Sequence, residues 1–296
     1  MSGTTLKTES LPAARSAKTV NPFWYKIRRN PLTLLGLFLL LLILLLSIFA
    51  PLISPYEPTK INIPERFAPP SADHWFGTDE VGRDIFTRIL YGARLSLGVG
   101  VAVVVGAGVI GTIIGAISGY FGGRIDQLIM RLMDIILAFP ALVLAMAIAA
   151  TLGPNLQNAM LAIAIIKIPV YVRLARAETL ALREKLFVKA AVTFGIPSWR
   201  IIVRHIIPNA LSPVIIQVTL DIGDAILLVA TLGFLGLGAQ PPTPEWGAMI
   251  SIGWKYLLDY WWYPTFPGLA LFLASCGFNL IGDGIRDILD PKANRS

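Results

Sequence analysis

The chain has 296 residues, of which 55% are hydrophobic and 15% charged, against roughly 25% charged in an ordinary soluble domain. With a mean hydropathy of +0.68, the apolar surplus exceeds what one water-facing globule can hide, so much of it must face lipid. The net charge of +7 fits basic loops beside anionic lipid and is no sign of nucleic acid; one cysteine, Cys276, and two histidines, His74 and His205, give no disulfide and too few ligands for a zinc site.

The first 20 residues are polar and unpatterned, which predicts a mobile tail, and Lys26, Arg28 and Arg29 just before the first apolar run predict that residues 1–30 lie on the inner side. Residues 31–56 carry no charge, and Leu32 to Ile53 is long enough to cross about 30 Å of hydrocarbon at about 1.5 Å per residue. That run is too long for a signal peptide and no cleavage site follows, so it predicts an uncleaved first span. Residues 57–94, with five basic and six acidic side chains, read as an external segment. A second span is predicted over Leu95 to Gly123, where Ala107, Gly111, Gly115 and Gly119 recur every four residues and invite another backbone to pack closely.

No charge falls between Asp134 and Lys167, and Gly153-Pro154-Asn155 divides that interval into spans three and four. A fifth span runs from Ile206 to about Leu235, and a sixth from about Pro264 to Ile281. Lys and Arg resist translocation. The first 30 residues hold six of them and the segment Arg173 to Arg204 seven, which predicts that both lie in the cytoplasm and that six spans return the C-terminal tail, residues 286–296, to the same side. The expectation is therefore an all-α polytopic membrane protein with a core over residues 95–285.

The fifth span carries Asp221 and Asp224, three apart and hence on one helical face. Ionised acids inside a bilayer must be paired or face water. Pairing with Lys167 in span four is allowed by depth, and the other reading is that the three groups line a translocation route near a peptide's ammonium group. In the external segment Gly77, Asp79, Gly82, Arg83 and Asp84 suit either turns and a helix cap or a docking face. The Pro-rich stretch Gln240 to Glu245 reads as a rigid external turn, and Asp283, Asp287 and Asp290 beside Arg286 as a solvated helix end. None of the nine lysines follows a glycine, so no phosphate-cradling GxxxxGK[ST] loop exists, and no HExxH, GxSxG or CxxC constellation points to catalysis or to a cofactor.

The most informative stretch is Lys189-Ala190-Ala191-Val192-Thr193-Phe194-Gly195 with Ile206-Ile207-Pro208-Asn209. Small residues, a helix-ending glycine and a second segment returning to the membrane describe a helical elbow over residues 189–208. It resembles the EAA loop of bacterial ABC importer permeases, where a coupling helix sits in a groove of the ATP-hydrolysing subunit; Lys189 stands where that family commonly has Glu, and Ile207 where it commonly has Leu. His74 to Asp79 with Gly82-Arg83-Asp84, Phe234 to Gly247 and Gly277 to Asp287 are similar to the C-type permeases for dipeptides and oligopeptides, and among these His74 to Asp84 with Trp261-Trp262-Tyr263 resembles the permeases for D-alanyl-D-alanine-type dipeptides. The resemblance covers about Asn21 to Pro291. It implies a type I importer permease fold in a bacterial inner membrane, a second related permease, two cytoplasmic ATPase subunits, an external solute-binding protein, and a coupling role for Lys189, Ala190, Ala191, Gly195 and Pro208. The alternatives are an ion-coupled secondary transporter using Lys167, Asp221 and Asp224, and, with no catalytic residues to support it, a membrane-embedded enzyme.

Overall fold

A computed structural model describes residues 30–289, so the N-terminal tail and Asp290 lie outside the described residues. Helix α1 spans Pro31–Ile48, with Asn30 capping it by accepting from the Leu32 and Thr33 amides, and continues as a short turn over Ala50–Ile53. α2 is Ile85–Phe121, α3 Gly123–Leu137, α4 Ala141–Leu152 and α5 Leu156–Arg183. The elbow helix α6 is Leu186–Thr193, α7 runs over Ser198–Phe234 through a π-turn at Ile202–Ile206, α8 is Trp246–Trp254, and α9 is Trp262–Leu289.

Two expectations change. The second span begins at Ile85, ten residues before Leu95, because its charges are absorbed: Asp84 caps the helix by accepting from the Thr87 amide at 2.7 Å, and Arg94 reaches back to the Ser47 carbonyl at 2.8 Å. The third span is no single rod. α3 and α4 meet at 91° across Ala138-Phe139-Pro140, where the proline disfavours helical backbone in the residue before it. Among the described residues, five helices are long and apolar enough to cross a membrane, and the bent pair, taken as one span, makes a sixth.

Close approaches between helices fix their relative directions. A Cβ on Gly111 would lie 3.0 Å from the Ile168 carbonyl oxygen, and one on Gly119 would lie 2.9 Å from that of Arg176, so α2 and α5 run parallel. The chain must therefore cross back between them, and α3 with α4 does so. α7 is antiparallel to α2, since Gly100 meets Ile226 and Gly108 meets Val218; α9 is antiparallel to α7, since Gly223 meets Ser275 and Asn279 while Gly282 meets Leu220. α1 is antiparallel to α9, with Gly36 against Gly277 and Thr33 against Gly284. The start of α1, the far end of α9 and the elbow thus share one side, and the α1–α2, α4–α5 and α8–α9 connections share the other.

The core falls in three parts. One joins Ile85, Trp246, Trp262 and Tyr263 beneath the α1–α2 segment; a second packs α4 on α5 through Ala145, Ala149, Ala159 and Ile163; a third, Ala116, Val188, Ala191, Ile201, Ile202 and Ile206, seats the elbow on α2.

Candidate functional site

The elbow is built by local chemistry. α6 ends in a Schellman motif: the Ile196 amide donates to the Ala191 carbonyl (3.1 Å) and the Gly195 amide to that of Val192 (2.9 Å), with Gly195 at φ +72°. That left-handed backbone is where glycine is needed. Val188 and Ala191 turn inward to the third core, while Lys189, Ala190, Gly195 and Pro208 are exposed. Lys189 donates to Glu184 at 2.8 Å and holds that carboxyl below its usual range. The outer surface of the elbow is apolar: Leu186 and Phe194 are 86% and 85% exposed, with Phe187 and Val192 beside them. Exposed large side chains clustered on a helical elbow mark a contact surface. Sequence reasoning missed these four, because periodicity alone does not say which apolar side chains a short helix leaves uncovered.

Lys167, Asp221 and Asp224 come together between α5 and α7. The Lys167 ammonium donates to Asp221 at 3.3 Å and also to Asp224, and the Tyr171 hydroxyl donates to the second Asp221 oxygen at 2.7 Å. Tyr171 is fully buried, the Asp221 side chain is 13% exposed and that of Asp224 58%. One cation against two carboxylates leaves a net negative charge, and Asp224 carries it to the surface of the subunit. Tyr171 had no signal in the sequence.

The external set, Gly77, Asp79, Gly82, Arg83 and Asp84, forms the inside of its segment. Asp79 accepts from the Arg83 guanidinium (2.6 Å) and from the Val81 and Arg83 amides (3.0 and 2.9 Å). His74 sits between Asp84 (2.9 Å) and Glu65 (3.2 Å). Gly77 (φ +73°) and Gly82 (φ +78°) leave no room for a Cβ, against Trp262 and the Asn62 carbonyl respectively. All five residues are buried. They build the interior of the segment, whose Ile61, Ile63 and Trp75 are exposed. Arg88 donates to the Pro58 and Pro242 carbonyls (2.8 and 3.2 Å) and ties this segment to the Pro-rich turn. That turn ends in Glu245, buried, which caps α8 by accepting from the Gly247 and Ala248 amides at 2.8 Å each. Burial pushes its carboxyl up against the opposing pull of those two amides.

Residues 111–295 match the family described as binding-protein-dependent transport system inner membrane component, and residues 22–70 match the N-terminal transmembrane domain of oligopeptide transport permease C. The chain is 55% identical over 269 residues to a probable D,D-dipeptide transport system permease protein of Escherichia coli (strain K12), covering 91% of this chain and 90% of that one. It is 52% identical to a dipeptide transport system permease protein of Alkalihalophilus pseudofirmus (90% and 88% covered). It is 43% identical to a glutathione transport system permease protein of Escherichia coli O6:K15:H31 (91% and 89% covered).

Proposed function

The chain belongs to the binding-protein-dependent inner membrane components and is the permease subunit of an ABC importer, not its ATPase; from that membership we propose that its cargo is a di- or oligopeptide delivered by an external binding protein. Family membership removes the ion-coupled carrier as a reading of the whole chain. The observation that carries the peptide reading is identity of 43 to 55%, over 88 to 91% of each chain, to permeases named for D,D-dipeptide, dipeptide and glutathione transport.

In this reading the subunit pairs with a second permease and sits on two ATPase subunits, with the elbow side, the start of α1 and the end of α9 in the cytoplasm. Leu186, Phe187, Val192 and Phe194 fill a groove of one ATPase subunit, Lys189, Ala190, Gly195 and Pro208 bordering the contact, and Ala191 fixes α6 to α2 from behind. Closure of the ATPase pair around ATP moves the elbow, and the helices seated on it switch the access of the path. Asp224, with Asp221 and Lys167 behind it, presents negative charge where a peptide ammonium would pass, and the surface over Asp79 to Asp84 receives the binding protein.

The test is reconstitution with the second permease, the ATPase subunits and the binding protein, followed by uptake of labelled dipeptides, D-alanyl-D-alanine among them. ATP-dependent uptake that ignores ion gradients is expected; transport of nickel or an oligosaccharide with no peptide uptake would refute the cargo. Phe194→Asp should leave membrane insertion intact and separate ATP hydrolysis from uptake, and full coupling in that variant would remove the elbow from the mechanism.

A further inference from the structure

The elbow-side halves of α2 and α7 diverge around an open groove of about 740 Å³ with no polar lining. Its floor is Gly108, Thr112 and Val214, all buried, and the Thr112 hydroxyl is spent on the Gly108 carbonyl at 2.6 Å. Its walls are Val109 and Ile113 on α2 and Val203 and Ile215 on α7, each more than a third exposed. The α2 wall from Val105 to Phe121 is about 24 Å long at 1.5 Å per residue, most of the depth of a hydrocarbon layer. Trp199 closes the elbow end. The Arg200 guanidinium carbon lies 5.3 Å from the centre of the Trp199 ring, and Arg200 and Arg204 are both exposed beside the groove residues Trp199 and Val203.

The groove differs in kind from the faces that hold helices together here. α2 meets α5 through glycines at backbone distance, as close helix packing in a bilayer favours, whereas the groove is wide and walled by valine, isoleucine and leucine. It also lacks the charge that obliges the Asp224 face to meet water or protein. An apolar slot inside a membrane span, with Trp199 at its elbow end, the Arg200 guanidinium over that ring and Arg204 exposed four residues on, suits a ligand with one long hydrocarbon chain and an anionic head. We propose that the groove binds an anionic phospholipid, one acyl chain lying between α2 and α7 and its phosphate held by Arg200 and Arg204.

The assembled importer, purified in mild detergent, is mixed with phosphatidylglycerol or phosphatidylcholine, and retained lipid is counted by native mass spectrometry. Phosphatidylglycerol should be retained in preference, and Arg200→Gln with Arg204→Gln should lower its retention about thirtyfold, as two lost cation–phosphate contacts imply. A photoreactive phenylalanine in place of Ile113 keeps the proposal testable where a groove-filling variant would misassemble: in membranes it should attach to lipid. Equal retention of both lipids, phosphatidylglycerol retention unchanged by the arginine substitutions, or attachment of the Ile113 probe to a second permease chain would each overturn it.

Discussion

A carboxylate inside a membrane span costs about 2.5 to 3.5 kcal/mol unless it is solvated or paired, and α7 carries two on one face. Asp221, mostly covered, has Lys167 and Tyr171 as partners, whereas Asp224 is half open. Lys167→Met should therefore lower the stability of the assembled complex by about 3 kcal/mol, the scale of a buried pair broken from one side. Asp224→Asn should cost far less, and Asp221→Asn added to Lys167→Met should return part of the loss. Thermal unfolding of the purified complex reads all three, and equal sensitivity at Lys167 and Asp224 would mean that Asp221 is solvated. Glu245 gives a pH test. Its carboxyl is raised by burial, so the stability it contributes is present below the ordinary carboxylate range and is lost as pH rises through its raised value. Glu245→Gln keeps an amide oxygen to cap α8 and should remove that slope, seen as a narrowing gap in melting temperature between mildly acidic and neutral buffer. The Lys167 to Asp221 pairing was legible because depth follows from residue counting. The inward turn of Asp79, Arg83 and Asp84 was not, since a motif of glycines and charges reads alike whether it frames a loop or faces a partner.

Elements obey the same physics over longer distances. The glycine stripe on α2 predicted a close neighbour, and α5 supplies it: a Cβ on Gly115 would lie 2.9 Å from the Cβ of Ala175 and nearer still to the Val172 carbonyl oxygen, while one on Gly106 would meet nothing within 4 Å. Gly115→Leu should thus part α2 from α5 and lower the yield of assembled complex, at a cost of about 1 to 3 kcal/mol, and Gly106→Leu should be silent in the same blot. Gly195→Ala tests a different constraint. Nothing crowds the position, so only the left-handed backbone opposes the change, at roughly 1 to 2 kcal/mol. That cost falls on the end of α6, and coupling should weaken at high temperature before it fails at low. The bend between α3 and α4 escaped a reading based on charge-free length, because counting uncharged residues cannot register direction. Its cause was nevertheless in view at Pro140. What anchors α3 is also an ion pair rather than an apolar face: Arg176 donates to both Asp126 oxygens, and residues of opposite sign 50 positions apart announce no partnership in a linear sequence.

For the whole molecule, the count of crossings rests on direction rather than on length. α2 and α5 are parallel, so whatever joins them must traverse the layer, and the bent pair, too short in either half, does so in two pieces. α7, α9 and α1 then alternate, which places the elbow opposite the α8–α9 connection whatever the absolute orientation. The excess of Lys and Arg in the first 30 residues and around the elbow supports the proposed cytoplasmic placement of that side. The lone cysteine makes this testable: in a Cys276→Ser background, Leu258→Cys, 98% exposed in the α8–α9 connection, and Pro154→Cys in the α4–α5 turn should react with a membrane-impermeant maleimide in intact spheroplasts. Phe194→Cys at the elbow should react only once the membrane is opened. Reversed labelling of all three would invert the protein and detach the elbow from any cytoplasmic motor. Labelling of Pro154→Cys together with Phe194→Cys would instead put both ends of α5 on one side and take that helix out of the layer, against its length and its parallel packing on α2.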